Sequence, residues 1–322
     1  MNHRWSALVT GCAGFLGSHL CQALLATGHV VTGVDCFTDF YARALKERNI
    51  APLWDSPGFR LVEADIAEAP LAPLLENVDV IYHLAGQAGV RTSFGDGFHD
   101  YLHHNVLGTQ RLLEEVAGRP IRAFVYASSS SVYGDQEVYP VAEGAPLRPL
   151  SPYGATKVIT EQLAQAFWRS HEVPAVGLRY FTVYGPRQRP DMAFSRFLSR
   201  AVSGQPLQIL GDGRQVREFT YVGDVVAATL AAAERGERGL VYNVGGGQPV
   251  SVLDVVALVE RLLDRSLRLE YLDGGRGDPR RTEADITRAS RDLGYVPATP
   301  LADGLAAHLE ALGDGRGVEV VG

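Results

Sequence analysis

Along roughly the first half of the chain, short β-branched runs alternate with longer helical stretches, a pattern that predicts a parallel sheet covered on both faces. The strand candidates are Trp5 to Thr10, His29 to Asp35, Phe59 to Ala64, Val78 to Leu84, Arg122 to Ala127 and Ala175 to Tyr180. Helical stretches lie between them, at Phe15 to Thr27, Leu71 to Glu76, Asn105 to Val116 and Pro152 to Ser170. The fold class is therefore α/β, a doubly wound parallel sheet. After Tyr180 the alternation breaks at Gly185-Pro186-Arg187-Gln188-Arg189-Pro190, and later segments are shorter and mixed. That break predicts a first domain over residues 1–180 and a smaller mixed α/β lobe over 181–322, interleaved because about 219–245 packs back onto the first.

Composition narrows the class. A chain of 322 residues, 46% hydrophobic and 21% charged, is long enough to bury a substantial core. Its net charge of -7 argues against general binding to nucleic acid or to an anionic membrane. Cys12, Cys21 and Cys36 show neither metal-ligand nor Cys-x-x-Cys spacing and read as small fillers in a reducing compartment. Met1 leads straight into the first strand candidate, and no apolar stretch approaches about 18 residues. A cytoplasmic location is the expectation.

The first strand ends in Thr10-Gly11-Cys12-Ala13-Gly14-Phe15-Leu16-Gly17, and this turn opens a helix. Gly11, Gly14 and Gly17 let backbone approach a pyrophosphate at the helix N-terminus, beside Phe15 and Leu16, although the spacing departs from Gly-x-Gly-x-x-Gly. Asp35 ends the second strand, where a carboxylate accepts from ribose hydroxyls and repels a 2'-phosphate. Together these point to a Rossmann site for NAD rather than NADP, with nearby Arg43 the one opposing charge. Asp65 and Ile66 follow the third strand, where they could meet the edge and face of adenine. Asp65 could equally cap a turn. Leu84, Ala85 and Gly86 end the fourth strand in small residues that leave room for a flat cofactor, whereas His83 reads as a core histidine.

Two further features carry chemistry. The fifth strand runs into four consecutive hydroxyls, Ser128 to Ser131, which are costly to bury without partners. Tyr153 and Lys157 are four residues apart in a helix and so share a face. Lys157 is one of only two lysines in the chain. A compact ammonium beside a phenol favours the phenolate and makes tyrosine a usable base. No metal site is expected, since the histidines lack ligand spacing and His103 and His104 should face apart on a helix.

The glycine turn, Asp35, the serine run and Tyr153-x-x-x-Lys157, in that order, resemble the extended short-chain dehydrogenase/reductase superfamily, specifically its nucleotide-sugar epimerases and dehydratases. Asp39-Phe40-Tyr41 with Ala44-Leu45-Lys46, Gln87 to Arg91, and Thr182 to Pro186 leading to Arg189-Pro190-Asp191-Met192-Ala193 are most similar to UDP-glucuronate 4-epimerases. The resemblance implies that Tyr153 is the base for the sugar's 4-hydroxyl, that Ser129 hydrogen-bonds the same hydroxyl, and that Lys157 holds the nicotinamide ribose. It further implies that Ser129, Ser130 and Thr182, with Arg189 close by, receive the sugar carboxylate. Arg217, Arg276 and Asp278 would hold diphosphate and ribose, with a further contact from Arg196. NAD would be regenerated each cycle and held tightly. In relatives, the helices around Asn105 to Val116 and Pro152 to Ser170 form a homodimer seam.

Two rival activities and one non-catalytic reading stay open, and dehydration is disfavoured. A UDP-glucose/galactose epimerase shares the chemistry. Dehydration needs a further acid and base where this chain has Ser130 and Ser131, and hydroxyls are poor bases. A UDP-glucuronate decarboxylase would let the 4-keto acid lose its carboxylate. A non-catalytic sensor of NAD or a sugar nucleotide is the reading outside enzymes, since a cofactor fold does not itself imply turnover.

Overall fold

The computed structural model describes residues 4–273 and 279–313. Its central strands are β1 (Ser6–Thr10), β2 (Val30–Asp35), β3 (Phe59–Glu63), β4 (Val80–His83), β5 (Ala123–Ser129) and β6 (Ala175–Tyr180). Val241–Val244 adds a seventh beside β6, and every pairing in this sheet is parallel. The chain winds one way from β1 through β2 to β3, and the other way from β4 through β5 to β6. Ligands bind such sheets at this switch point, in the crevice beyond the carboxyl ends of β1 and β4. β4 and β6 are buried along their whole length, which is why they do not alternate between apolar and polar positions, and His83 and Arg179 are buried with the rest.

Helix α1 (Phe15–Ala26) follows the glycine turn and α2 (Arg43–Ile50), which the hydrophobic pattern did not predict, follows β2. The helix expected at Leu71 to Glu76 is only a single 3-10 turn, Ala72–Leu74. Pro70 and Pro73 remove two backbone donors there and stop an α-helix from propagating. A short α3 (Phe98–Tyr101) runs through π-helical Leu102–Leu107 into α4 (Gly108–Val116). The longest helix, α5 (Pro152–His171), covers the same face of the sheet as α4.

Beyond β6, α6 (Ala193–Val202) and helix Val252–Leu263 build a second core around Phe194, Leu198, Leu207, Val255 and Leu305. Between them α7 (Val222–Arg235) returns to pack on α1, and its alanines enter the core under the main sheet. Ser251 caps the helix that follows the glycine turn Gly245 to Gly247, with Asp254 closing a capping box. Among the described residues no helix is long and apolar enough to cross a membrane.

Candidate active site

At the switch point a cleft of about 640 Å³ opens over the sheet. Gly11, Gly14, Phe15, Leu16, Gly17, Asp35, Asp65, Ile66, Leu84, Ala85 and Gly86 line it, and so do Ser129, Ser130, Tyr153, Lys157, Thr182, Arg189 and Arg196. A second cavity of about 290 Å³ adjoins it, sharing Ser130, Thr182 and Arg196 and lined further out by Arg217. Arg276 and Asp278 lie outside the described residues.

The cofactor end is a cradle for a phosphate. Gly11 has φ +70°, and a Cβ there would sit 2.9 Å from the Ala85 backbone, so β1 and β4 can approach this closely only with glycine. A Cβ on Gly17 would overlap the Gly11 carbonyl. Helix α1 begins at Gly14 with no side chain capping it, which leaves its first N–H groups for an anion. Asp35 is held by the Phe37 and Ala13 amides at 2.8 and 3.0 Å, with lone pairs left for ribose hydroxyls. These residues fit NAD. Arg43, the one charge that favoured a 2'-phosphate, is spent on Glu47 and bidentately on Glu63, each at 2.7 Å.

The adenosine end corrects one expectation. His103 and His104 do not face apart: the π-helical turn brings both rings toward Asp65, at 2.9 and 3.8 Å, with ring centroids 4.8 Å from each other. A π turn advances less per residue around the axis than an α turn, so neighbours stay closer to one face. Cys36, Asp65 and His104 thereby place potential metal-ligand atoms within 4.8 Å of one another. His83 is a core residue as read, buried between Thr10 and Thr109 at 2.8 and 2.9 Å and pushed by burial down to about 3, hence neutral.

At the far end of the cleft β5 delivers Ser129 in extended conformation, and its hydroxyl accepts from the Ser131 amide at 3.1 Å. Ser151 caps α5 by accepting from the Gly154 amide at 3.1 Å, and Pro152 pre-sets the first turn. Gly154 is the residue that lets these two elements meet, because a Cβ would sit 2.6 Å from the Ser131 carbonyl. Tyr153 consequently faces Ser129. Burial raises the phenol above its ordinary value, while the Ser129 hydroxyl and the Arg189 charge lower it. The Lys157 ammonium is 5.9 Å from the Tyr153 ring centroid and donates to the Ala127 carbonyl at 2.9 Å. Arg189 is a further cation that acts on the phenol.

Arg189 itself is clasped by Asp191 through two bonds of 2.9 and 3.0 Å, and Arg196 donates to Gln208 at 3.0 Å. Arg217 donates to the Val216 carbonyl at 2.9 Å on the wall of the outer cavity. Sequence reasoning assigned no role to Lys46, which lines the cofactor cleft and donates to the Thr38 carbonyl and hydroxyl at 2.5 and 3.0 Å. The available signal was that Lys46 is the only lysine of the chain besides Lys157.

The model of the NAD dependent epimerase/dehydratase family matches residues 7–245. The chain belongs to that family. The uncharacterized UDP-glucose epimerase YtcB of Bacillus subtilis (strain 168) is 46% identical over 314 residues, 96% of this chain and 99% of the relative. UDP-glucuronate 4-epimerase 3 of Arabidopsis thaliana is 38% identical over 323 residues, 94% of this chain and 75% of the relative. Among solved structures, UDP-glucuronic acid 4-epimerase from Bacillus cereus in complex with UDP-glucuronic acid and NAD is 43% identical, with TM-score 0.94 over 96% of this chain and 99% of that one. As a member of this family the chain uses NAD.

Proposed function

We propose that this chain is a UDP-glucuronate 4-epimerase, interconverting UDP-glucuronate and UDP-galacturonate through a 4-keto sugar. The reading is carried by Ser129 and Tyr153 facing each other where an NAD-sized cleft meets an arginine-lined outer cavity. Likeness to the Bacillus cereus enzyme and to UDP-glucuronate 4-epimerases supports it. Bound NAD supplies the acceptor and then the donor of the hydride at carbon 4. Tyr153 takes the proton of the 4-hydroxyl and returns it after the sugar has turned over, while Ser129 orients that hydroxyl. Lys157 holds the cofactor ribose. Ser130 and Thr182 receive the sugar carboxylate with Arg189 nearby, and Arg196 and Arg217 hold the diphosphate.

Elimination is disfavoured by the carboxylates on hand. Those lining the cleft among the described residues are Asp35 and Asp65 at the cofactor end and Asp191, which is clasped to Arg189. The resemblance to YtcB favours UDP-glucose as the second reading. Incubating purified protein with each sugar nucleotide and separating products decides among them. UDP-galacturonate from UDP-glucuronate is the expected product; UDP-galactose from UDP-glucose alone sinks the acid-sugar assignment, and UDP-pentose with carbon dioxide identifies a decarboxylase.

The same proposal includes a homodimer through α4 and α5, supported by Leu102, Leu107 and Ile159, which stay more than a third exposed on that side. Light scattering at the mass of one chain would remove it. The cytoplasm is the compartment proposed, supported by three unpaired cysteines.

A further inference from the structure

Tyr153 and Lys157 continue into a third residue on the same face of α5, Glu161, one further helical turn along. Glu161 is almost wholly enclosed, yet it is the centre of an ion pair. Arg179 of β6 donates to both its oxygens, at 2.8 and 2.7 Å, with each side chain 4% exposed. Ser128 of β5 donates to it at 2.5 Å. One carboxylate thus ties α5 to the carboxyl ends of β5 and β6. Its bond to Ser128 falls between the Ala127 carbonyl that receives Lys157 and the Ser129 hydroxyl that faces Tyr153.

We propose that Glu161 is a positioning residue of this active site, holding the end of β5 against α5 and setting a carboxylate one helical turn from Lys157. The proposal rests on the epimerase reading for what Lys157 does, but not for how its proton is held. Isolated burial of a cation favours its neutral form, and Lys157 is 7% exposed. Burial pushes it down to about 8, and Glu161 is the charge that pulls it back up. The titratable groups around Lys157 are Tyr153 and Glu161 on its own helix and His83 from β4, which burial keeps neutral. Those around Glu161 are Arg179 from β6, Tyr126 from β5 and Lys157.

The pair also fastens the second lobe to this point. Arg179 continues to the Tyr133 hydroxyl at 2.7 Å and the Glu143 carbonyl at 2.9 Å, and Tyr133 donates to Asn243 at 2.7 Å. Asn243 in turn donates to the Val141 and Asp285 carbonyls at 2.8 and 3.1 Å. A purely structural clasp would account for this chain of bonds but would not couple to the charge of Lys157.

With only two lysines in the chain, NAD-loaded protein carrying 15N-lysine gives two side-chain signals, and Lys157→Arg assigns them. In Glu161→Gln the Lys157 midpoint should move to acid by about one pH unit or more, and Glu161→Asp should return most of it. An unmoved midpoint beside a lowered melting temperature would make Glu161 structural only and overturn the proposal. Should Glu161→Gln fail to fold, Arg179→Gln carries the test: Glu161 is then left to Lys157 alone and the midpoint should move alkaline. No movement there overturns the proposal equally. The midpoint is read without substrate, so failure to turn over UDP-glucuronate would remove the substrate assignment and leave this inference standing.

Discussion

The Lys157 ammonium donates to the Ala127 carbonyl at 2.9 Å, two residues before Ser129. This bond, with that from Ser128 to Glu161, joins the helix that carries Tyr153 to the strand that carries its hydroxyl partner. It also holds a cation where water is largely excluded. This relationship sets the first two expectations.

Lys157→Arg keeps the charge but not the shape. A Cβ on Gly86 would lie 3.6 Å from the Lys157 Nζ, so the neighbouring backbone leaves little room for a planar fork. Turnover of UDP-glucuronate should fall by ~10²-fold or more, and purified protein should retain less NAD. Wild-type turnover with full NAD content would return Lys157 to an ordinary helix residue.

Lys157→Met should do the opposite to stability. The folded-state value of about 8 lies below the ordinary 10.5, so the native state binds fewer protons between them and stability rises with pH across that window. Below about pH 8 the full cost of the buried charge is present. At pH 7 the NAD-free variant should gain ~3 kcal/mol from the removed charge and lose ~1 kcal/mol with the bond to Ala127, a net ~2 kcal/mol that shrinks above pH 8 and is gone before 10.5. Urea midpoints across pH measure this; equal stability at pH 7 would contradict it.

Gly154→Ala sets two effects against each other. Alanine favours a helix by up to about 1 kcal/mol over glycine. Here its Cβ would meet the Ser131 carbonyl at 2.6 Å and the Pro149 ring at 2.9 Å, neither able to yield cheaply. The clash wins, with a net loss of ~1–3 kcal/mol and a fall in kcat/KM of ~10²-fold as Tyr153 moves off Ser129. Thermal unfolding and kinetics on one preparation test both arms.

Asp35→Asn should weaken NAD retention by about tenfold or more, since a charged acceptor becomes a neutral one. It should not confer NADP binding, because Arg43 stays locked to Glu47 and Glu63. Titration calorimetry with both cofactors checks the pair of statements, and tight NADP binding would refute the second.

Tyr153-x-x-x-Lys157 was legible because helix periodicity places both on one face, and Ala175 to Tyr180 because a mostly apolar run between turns reads as a buried strand, although nothing in it says that Arg179 is buried too. The helix expected at Leu71 to Glu76 failed on Pro70 and Pro73, whose missing donors outweigh leucine periodicity. His103 and His104 were misread because an α-helical wheel was assumed where the backbone takes a π turn. Nothing in periodicity marks Glu161 as the carboxylate that meets Arg179.

By itself, then, the sequence determined what local chemistry and spacing can carry: the alternation of strands and helices, the glycine turn at α1, and the tyrosine–lysine face of α5. Those follow from backbone periodicity and from groups close along the chain. Only the tertiary structure decided which distant charges meet, such as Arg43 with Glu63, Arg189 near Tyr153, and Glu161 with Arg179. Electrostatic and hydrogen-bonding energies depend on separation in space and on exclusion of water, and neither is a property of position in the chain.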